Sequence, residues 1–125
     1  MNSIEVILFN ILHMFMNCDF DVSNQELKLI ETAMKELTDE EKEIVESQRK
    51  KNETIVSKGF DNIKSRTLQM GKLINDMKNS KELKKSFIEV IKVLILVDGI
   101  IHKNEKLMFE ELCDLWNIKT ELESV

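Results

Sequence analysis

The stretch LVDGIIHKNE, residues 96–105, places Asp98 directly after an apolar run and a second carboxylate, Glu105, seven positions later. The stretch NCDFDVSNQE, residues 17–26, has the same layout, because an apolar run again leads into an aspartate that a glutamate follows at the same distance. An internal repeat determines the whole architecture of a chain, so this likeness governs how the remaining sequence is interpreted.

The two copies are related by one offset. Asp19 and Asp98 are 98 − 19 = 79 positions apart, and Glu26 and Glu105 are also 105 − 26 = 79 positions apart. The repeat predicts that each copy is a buried helix, a tight acidic turn and an amphipathic helix.

The segments around the acidic turns have helical spacing. Residues 4–16 and 87–97 are apolar on most sides, which is typical of central helices, and we expect them to pack on each other. An amphipathic helix follows each turn, with stripes formed by Leu27, Ile30, Ala33, Met34 and Leu37 in the first copy and by Phe109, Leu112, Cys113 and Trp116 in the second. With no Pro and only three Gly, the sequence predicts one all-α domain over residues 1–125, a single helical bundle.

A polar insert separates the copies. Residues 38–41 have the capping-box pattern and start a helix, with either a bend at residues 50–52 or one continuous helix. Residues 60–77 carry an apolar stripe at steps of three and four, which predicts a long helix laid over the core. Ser80 is suited to cap the helix that follows.

Composition excludes several classes of function. A net charge of −5 disfavours a nucleic-acid partner, because binding to phosphates depends on Lys and Arg. The apolar N-terminal stretch is too short for membrane insertion and has no signal-peptide features, so the sequence predicts a cytoplasmic protein. Cys18 and Cys113 lie in apolar patterns and indicate small buried residues in a reducing compartment.

Helix capping accounts for part of the acidic signal. Glu26 fits a capping box that starts at Ser23, and Gly99 suits the left-handed residue that ends a helix. Capping explains the second copy less well, because His102 stands at the N-cap position and histidine is a poor N-cap. An EF-hand is excluded, since the sixth and twelfth loop positions hold Asn24 and Ile30 instead of Gly and Glu.

The pattern resembles the TerB-like family of tellurite-resistance proteins. The stretch VDGII, residues 97–101, followed by Glu105, matches the family's Asp-Gly turn and helix-opening glutamate, and CDFDV, residues 18–22, followed by Glu26, is a degenerate copy with Phe20 in place of Gly. The resemblance covers roughly half of the chain by motif. It implies an all-α bundle whose two turns approach each other and form a divalent-cation site, for Ca²⁺ or Mg²⁺. The metal ligands implied are Asp19, Glu26, Asp98 and Glu105.

The resemblance also implies a non-enzymatic, tellurite- or stress-associated protein. Carboxylates gathered in one place repel each other, by ~4 kcal/mol for a pair ~4 Å apart at an effective dielectric near 20, and a hard cation would relieve this. Two alternatives stay open. The turns are two solvated cap clusters that never meet, or the domain is an interaction module for an unidentified protein partner, with no metal requirement. The apolar first helix leaves a homodimer open, and no catalytic set of residues supports an enzyme.

Overall fold

The computed structural model of the protein describes residues 4–18, 24–97, 99 and 101–119. Those residues form helices and connections without any strand, which confirms the all-α bundle. In chain order the helices are α1 (Ile4–Asn17), α2 (Asn24–Met34), α3 (Asp39–Ser57), α4 (Phe60–Asn75), α5 (Ser80–Leu96) and α6 (Lys103–Trp116).

The first helix lies at the centre of the bundle. Ten of its residues are buried, because its apolar side chains cover most faces of the helix and helices α2, α3, α4 and α5 all pack against it. The contact between α1 and α5 confirms that the two apolar helices pack on each other. Helix α1 nevertheless packs more extensively on the insert helices α3 and α4 than on α5.

The helix boundaries follow the offset of the sequence repeat. Helices α1 and α5 end 96 − 17 = 79 positions apart, and helices α2 and α6 begin 103 − 24 = 79 positions apart. Each acidic turn therefore follows one helix and precedes a second. Helix α1 is largely buried, whereas α5, which is expected to be central, buries one face only and leaves Val93 53% exposed.

Helix α3 begins with the expected capping box. The Glu41 backbone N–H donates to Thr38 Oγ1 at 3.1 Å, and the Thr38 N–H donates to Glu41 Oε1 at 3.0 Å. The helix then runs unbroken to Ser57, so the bend considered at residues 50–52 is absent and the continuous alternative is correct. The cause is visible at Asn52, which is fully buried and hydrogen-bonded to α1, so this polar stretch packs as a helix instead of turning outward.

Helix α4 is part of the core instead of a cover over it. It packs against α1, α3, α5 and α6. Three side chains of its apolar stripe, Ile63, Met70 and Ile74, are buried. Gly71 permits the close approach of α6, because a Cβ there would lie 2.7 Å from Leu112 Cδ1. The indole Nε1–H of Trp116 donates to Gly71 O at 2.9 Å across the same contact.

Two helix ends use left-handed residues. Gly99 has φ of 78°, as expected of a residue that ends a helix, and its N–H donates to Leu96 O at 3.0 Å. Asn79, with φ of 59°, is the N-cap of α5, so the prediction that Ser80 caps this helix is wrong. Asn79 tolerates the left-handed conformation, and Ser80 is already the first helical residue.

Both cysteines are buried, as the sequence predicts. Cys18 has no exposed surface and its Sγ–H donates to Phe15 O at 3.1 Å. Cys113 is 5% exposed, and burial raises the pKa of its thiol to about 11. Within the described ranges, no helix has the length and apolar character needed to cross a bilayer.

Candidate functional site

Two of the four predicted metal ligands lie within the described residues. Glu26 and Glu105 are each the third residue of a helix, in α2 and α6, and they are only 2% and 1% exposed. Asp19 and Asp98 lie outside the described residues. We call the junction of α1 with α2 and the junction of α5 with α6 the two acidic corners. Glutamate is rarely buried unless it is paired, so the burial of both side chains makes the acidic corners candidate functional positions.

The start of α6 shows what holds Glu105 in place. His102 is the N-cap, with extended backbone, and its N–H donates to Glu105 Oε1 at 3.2 Å. The expectation that capping accounts poorly for Glu105 is therefore wrong. The reason is that this bond uses the backbone N–H of the N-cap, which histidine supplies as well as serine does.

A hydrogen bond connects the two corners directly. The Asn104 side-chain Nδ2–H donates to Cys18 O at 2.7 Å, between residues that are 86 positions apart in the chain. Cys18 immediately precedes Asp19, and Asn104 immediately precedes Glu105. The end of α1 and the first turn of α6 therefore meet at this bond, whereas Asp19 and Asp98 lie outside the described residues, so the alternative of two clusters that never meet stays open.

The buried glutamates do not form a complete metal centre by themselves. No group of three or more His, Cys, Asp or Glu side chains suited to a metal occurs within residues 4–18, 24–97, 99 and 101–119. A four-carboxylate site thus depends on Asp19 and Asp98.

A buried polar cluster lies on the α1–α3 contact. Asn52 Nδ2 is 2.7 Å from Asn10 Oδ1, to which it donates, and 3.2 Å from His13 Nδ1. Because an amide nitrogen can only donate, His13 Nδ1 acts as the acceptor and the ring proton lies on Nε2. The Asn10 Nδ2 and Asn52 Oδ1 atoms are buried without a hydrogen-bond partner among the described residues. The cluster fixes the register of α1 against α3.

The imidazole of His13 is neutral at physiological pH. Burial and, to a smaller extent, the charge of Arg49 lower its pKa to about 4, and Glu53 partly opposes both effects. The ring also stacks on Phe9, with centroids 5.6 Å apart. Its hydrogen-bond partner, Asn52, lies 39 positions away in the chain. Asn10 and His13 in an apolar helix were the only signal of this cluster.

An apolar groove opens between α1 and α2. Its volume is about 260 Å³, and its walls are formed by Leu8, Phe9, Leu12, Ile30, Ala33, Met34 and Leu37. Glu5 and Glu36 also line it and supply acidic groups. A smaller cavity of about 90 Å³ shares Phe9 with the groove and reaches His13 and Arg49. Concave apolar surfaces with a few polar groups are the usual form of binding sites.

Comparisons of the chain with protein-family models, with curated proteins and with solved structures found no match.

Proposed function

We propose that this chain is a non-enzymatic, TerB-like protein, associated with tellurite or stress response, whose two acidic corners hold one divalent cation. The observation that carries the proposal is the 2.7 Å hydrogen bond from Asn104 to Cys18 O. It joins the residue before Asp19 to the residue before Glu105, so carboxylates distant in the chain start from adjacent backbone.

The buried glutamates fit such a role chemically. Ca²⁺ and Mg²⁺ prefer oxygen ligands, and both copies direct a glutamate from the first turn of a helix into a buried position. The bond from His102 N–H to Glu105 Oε1 does not exclude metal binding, because a carboxylate offers about four acceptor positions. A cation would also offset the repulsion between like charges at the joined corners.

Isothermal calorimetry with Ca²⁺ and with Mg²⁺ tests the proposal. We expect binding heat in the wild-type protein and none after Asp98→Asn, which removes one negative charge from a proposed ligand. Asp114→Asn is the matched control, since this residue is exposed on α6 and away from the corner, and its heat should equal that of the wild type. Absence of heat with both ions in the wild-type protein contradicts the proposal.

The α1–α2 groove favours a second candidate function, a protein-interaction module with no metal requirement. Its apolar walls and the carboxylates of Glu5 and Glu36 suit a partner segment with large apolar side chains next to Lys or Arg. Met34 adds an adaptable wall, since methionine accommodates varied surfaces. A second copy of the chain stays an alternative occupant, since the apolar first helix leaves a homodimer open.

Ala33→Leu tests this candidate because it places three additional carbon atoms in the groove. A partner that binds there should be recovered by the wild-type protein and lost with Ala33→Leu, with the same result in chelator and in Ca²⁺. Val93→Leu is the control, as it adds bulk to an apolar side chain that is 53% exposed on α5. Retention of the partner by Ala33→Leu rules out the groove, and light scattering of the same samples reports any dimer.

A further inference from the structure

A cavity of about 430 Å³ lies between the first turns of α5 and the end of α6. Lys81, Lys84 and Lys85 line it from α5, and Lys119 lines it from the segment after α6. Its apolar wall consists of Trp116 and Ile118. Among the described residues that line this cavity none is acidic, although the whole chain carries a net charge of −5. Positive charge is thus concentrated at one place of an acidic protein.

Within the described residues, none of the four ammonium groups of the cavity forms a salt bridge. The ion pairs among the described residues involve Arg49 and Lys64, and none involves a lysine of the cavity. The positively charged lysines that line one cavity repel each other, and a bound anion would offset that repulsion.

The backbone around the cavity also favours an anion. Helix α5 begins there, and its N-cap Asn79 makes no side-chain capping hydrogen bond. The positive end of the helix dipole therefore adds to the charge of the lysines. At the opposite wall, two of the last carbonyls of α6 accept hydrogen bonds, because Ile118 N–H donates to Cys113 O at 2.9 Å and Asn117 N–H donates to Asp114 O at 3.2 Å.

The apolar wall defines the other half of the ligand. The indole N–H of Trp116 is committed to Gly71 O, so the ring offers the cavity an apolar surface and no hydrogen bond. Cavities of roughly 300–1,000 Å³ are the usual size for small organic ligands. We propose that this cavity binds a phosphorylated small molecule, with its phosphates on the lysines and a ring or apolar portion against Trp116 and Ile118. This site is independent of the cation site proposed for the acidic corners.

The single tryptophan of the chain lines the cavity and so reports binding at this place. Calorimetry would measure affinity, and Trp116 fluorescence would measure location, in buffer freed of metal by a chelating resin. The probes are ADP, pyrophosphate, adenosine and citrate. We expect ADP to bind more tightly than pyrophosphate, both to change the fluorescence, and adenosine and citrate to bind at least about tenfold more weakly than pyrophosphate.

Charge removal completes the test. We expect the double variant Lys84→Gln/Lys85→Gln to weaken ADP binding at least about tenfold, because two charged contacts are lost. The control Lys50→Gln/Lys51→Gln removes the same charge from the exposed face of α3 and should leave the affinity within about twofold. Equal weakening in both double variants would show general attraction and overturn the site. Absence of binding, binding without a fluorescence change, or citrate as tight as pyrophosphate would each overturn it as well.

Discussion

Helices α2 and α6 each begin two residues before a buried glutamate, but they are covered by the rest of the molecule to different extents. Helix α6 buries five apolar side chains against α4 and α5, whereas α2 packs principally on α1 and buries one. At the repeat offset of 79, exposed Ala33 corresponds to Leu112, which has no exposed surface. The larger side chains of α6 fill the space beside α4.

One sequence motif can therefore fix where a helix begins without fixing how that helix packs. The glutamates at the third helical position are almost fully buried in both copies, with Glu26 2% and Glu105 1% exposed. Beyond the first turn, the size of the side chains decides burial. The smaller residues of α2 leave the groove of about 260 Å³, so the less buried copy carries the candidate partner site.

The largest expected effect on stability comes from truncating a buried side chain of α6, the more closely packed of the two helices. Leu112→Ala should lower the free energy of unfolding by about 3 kcal/mol, because it removes buried apolar volume and leaves a cavity against α4. Urea unfolding measures the change. Leu107→Ala, which is 41% exposed on the same helix, should cost less than about 1 kcal/mol. Similar losses in the two variants would contradict the close packing of Leu112 against α4.

An acid-sensitive contribution is expected on the side of α1 that faces α2 and α3. The folded protein holds the pKa of His13 at about 4 against 6.5 for the unfolded chain, so the unfolded state takes up the proton first as pH falls. Stability should therefore decline from pH 6.5 toward pH 4, by about 2 kcal/mol between pH 7 and pH 5.

Urea unfolding of His13→Gln isolates this contribution from that of other titrating groups. The variant lacks the imidazole, so its loss of stability between pH 7 and pH 5 should be smaller than that of the wild type by the same ~2 kcal/mol. Glu31, Arg49 and Glu53 surround the histidine in both proteins and serve as the common background. Parallel pH profiles for wild type and variant would argue against a neutral buried histidine.

The hydrogen bond between Asn104 and Cys18 O should contribute less to the free energy of unfolding. Asn104→Ala removes the side-chain donor to Cys18 O and should lower the free energy of unfolding by about 1 kcal/mol, the usual loss for one partly buried hydrogen bond. Chemical unfolding against Lys103→Ala, an exposed neighbour on the same turn, measures the difference. If both substitutions are neutral, the corners are held together by other contacts.

The smallest effect should come from making α2 resemble α6. Ala33→Leu introduces the residue found at the equivalent position of the second copy and should raise the free energy of unfolding by about 0.5 kcal/mol, since the groove is half open and burial is incomplete. A thermal melt beside Val93→Leu measures the gain. A loss of stability would show that the groove has no room for the added carbons.

The sequence predicts the helices and much of their capping, because both depend on neighbours within one or two turns. The contact between α1 and α5 is predicted instead by the apolar faces of two helices that are distant in the chain. The capping box of Thr38 and the left-handed Gly99 follow from local pattern. The central position of α4 does not, because its stripe suits a covering helix as well as a core helix. The pairing of His13 with Asn52 is equally hidden, since it depends on how α1 and α3 meet in space.

The candidate sites likewise include features that the sequence indicates and features that it does not. The resemblance implies that the acidic turns approach each other. The bond between Asn104 and Cys18 joins the end of α1 to the start of α6, and the proximity of Asp19 and Asp98 stays a prediction. The groove and the lysine-lined cavity have no local signal, because each combines side chains from two helices that only the packing of the bundle brings together.

The two cysteines lie in different copies of the repeat, one at the end of α1 and one within α6. A disulfide reagent reacts with an accessible thiolate, and burial withholds both access and, at Cys113, the ionised form. Labelling in native buffer must therefore wait for each thiol's own segment to open. With Cys18→Ser and Cys113→Ser variants, the two labelling rates would rank the halves of the molecule by their free energy of local unfolding.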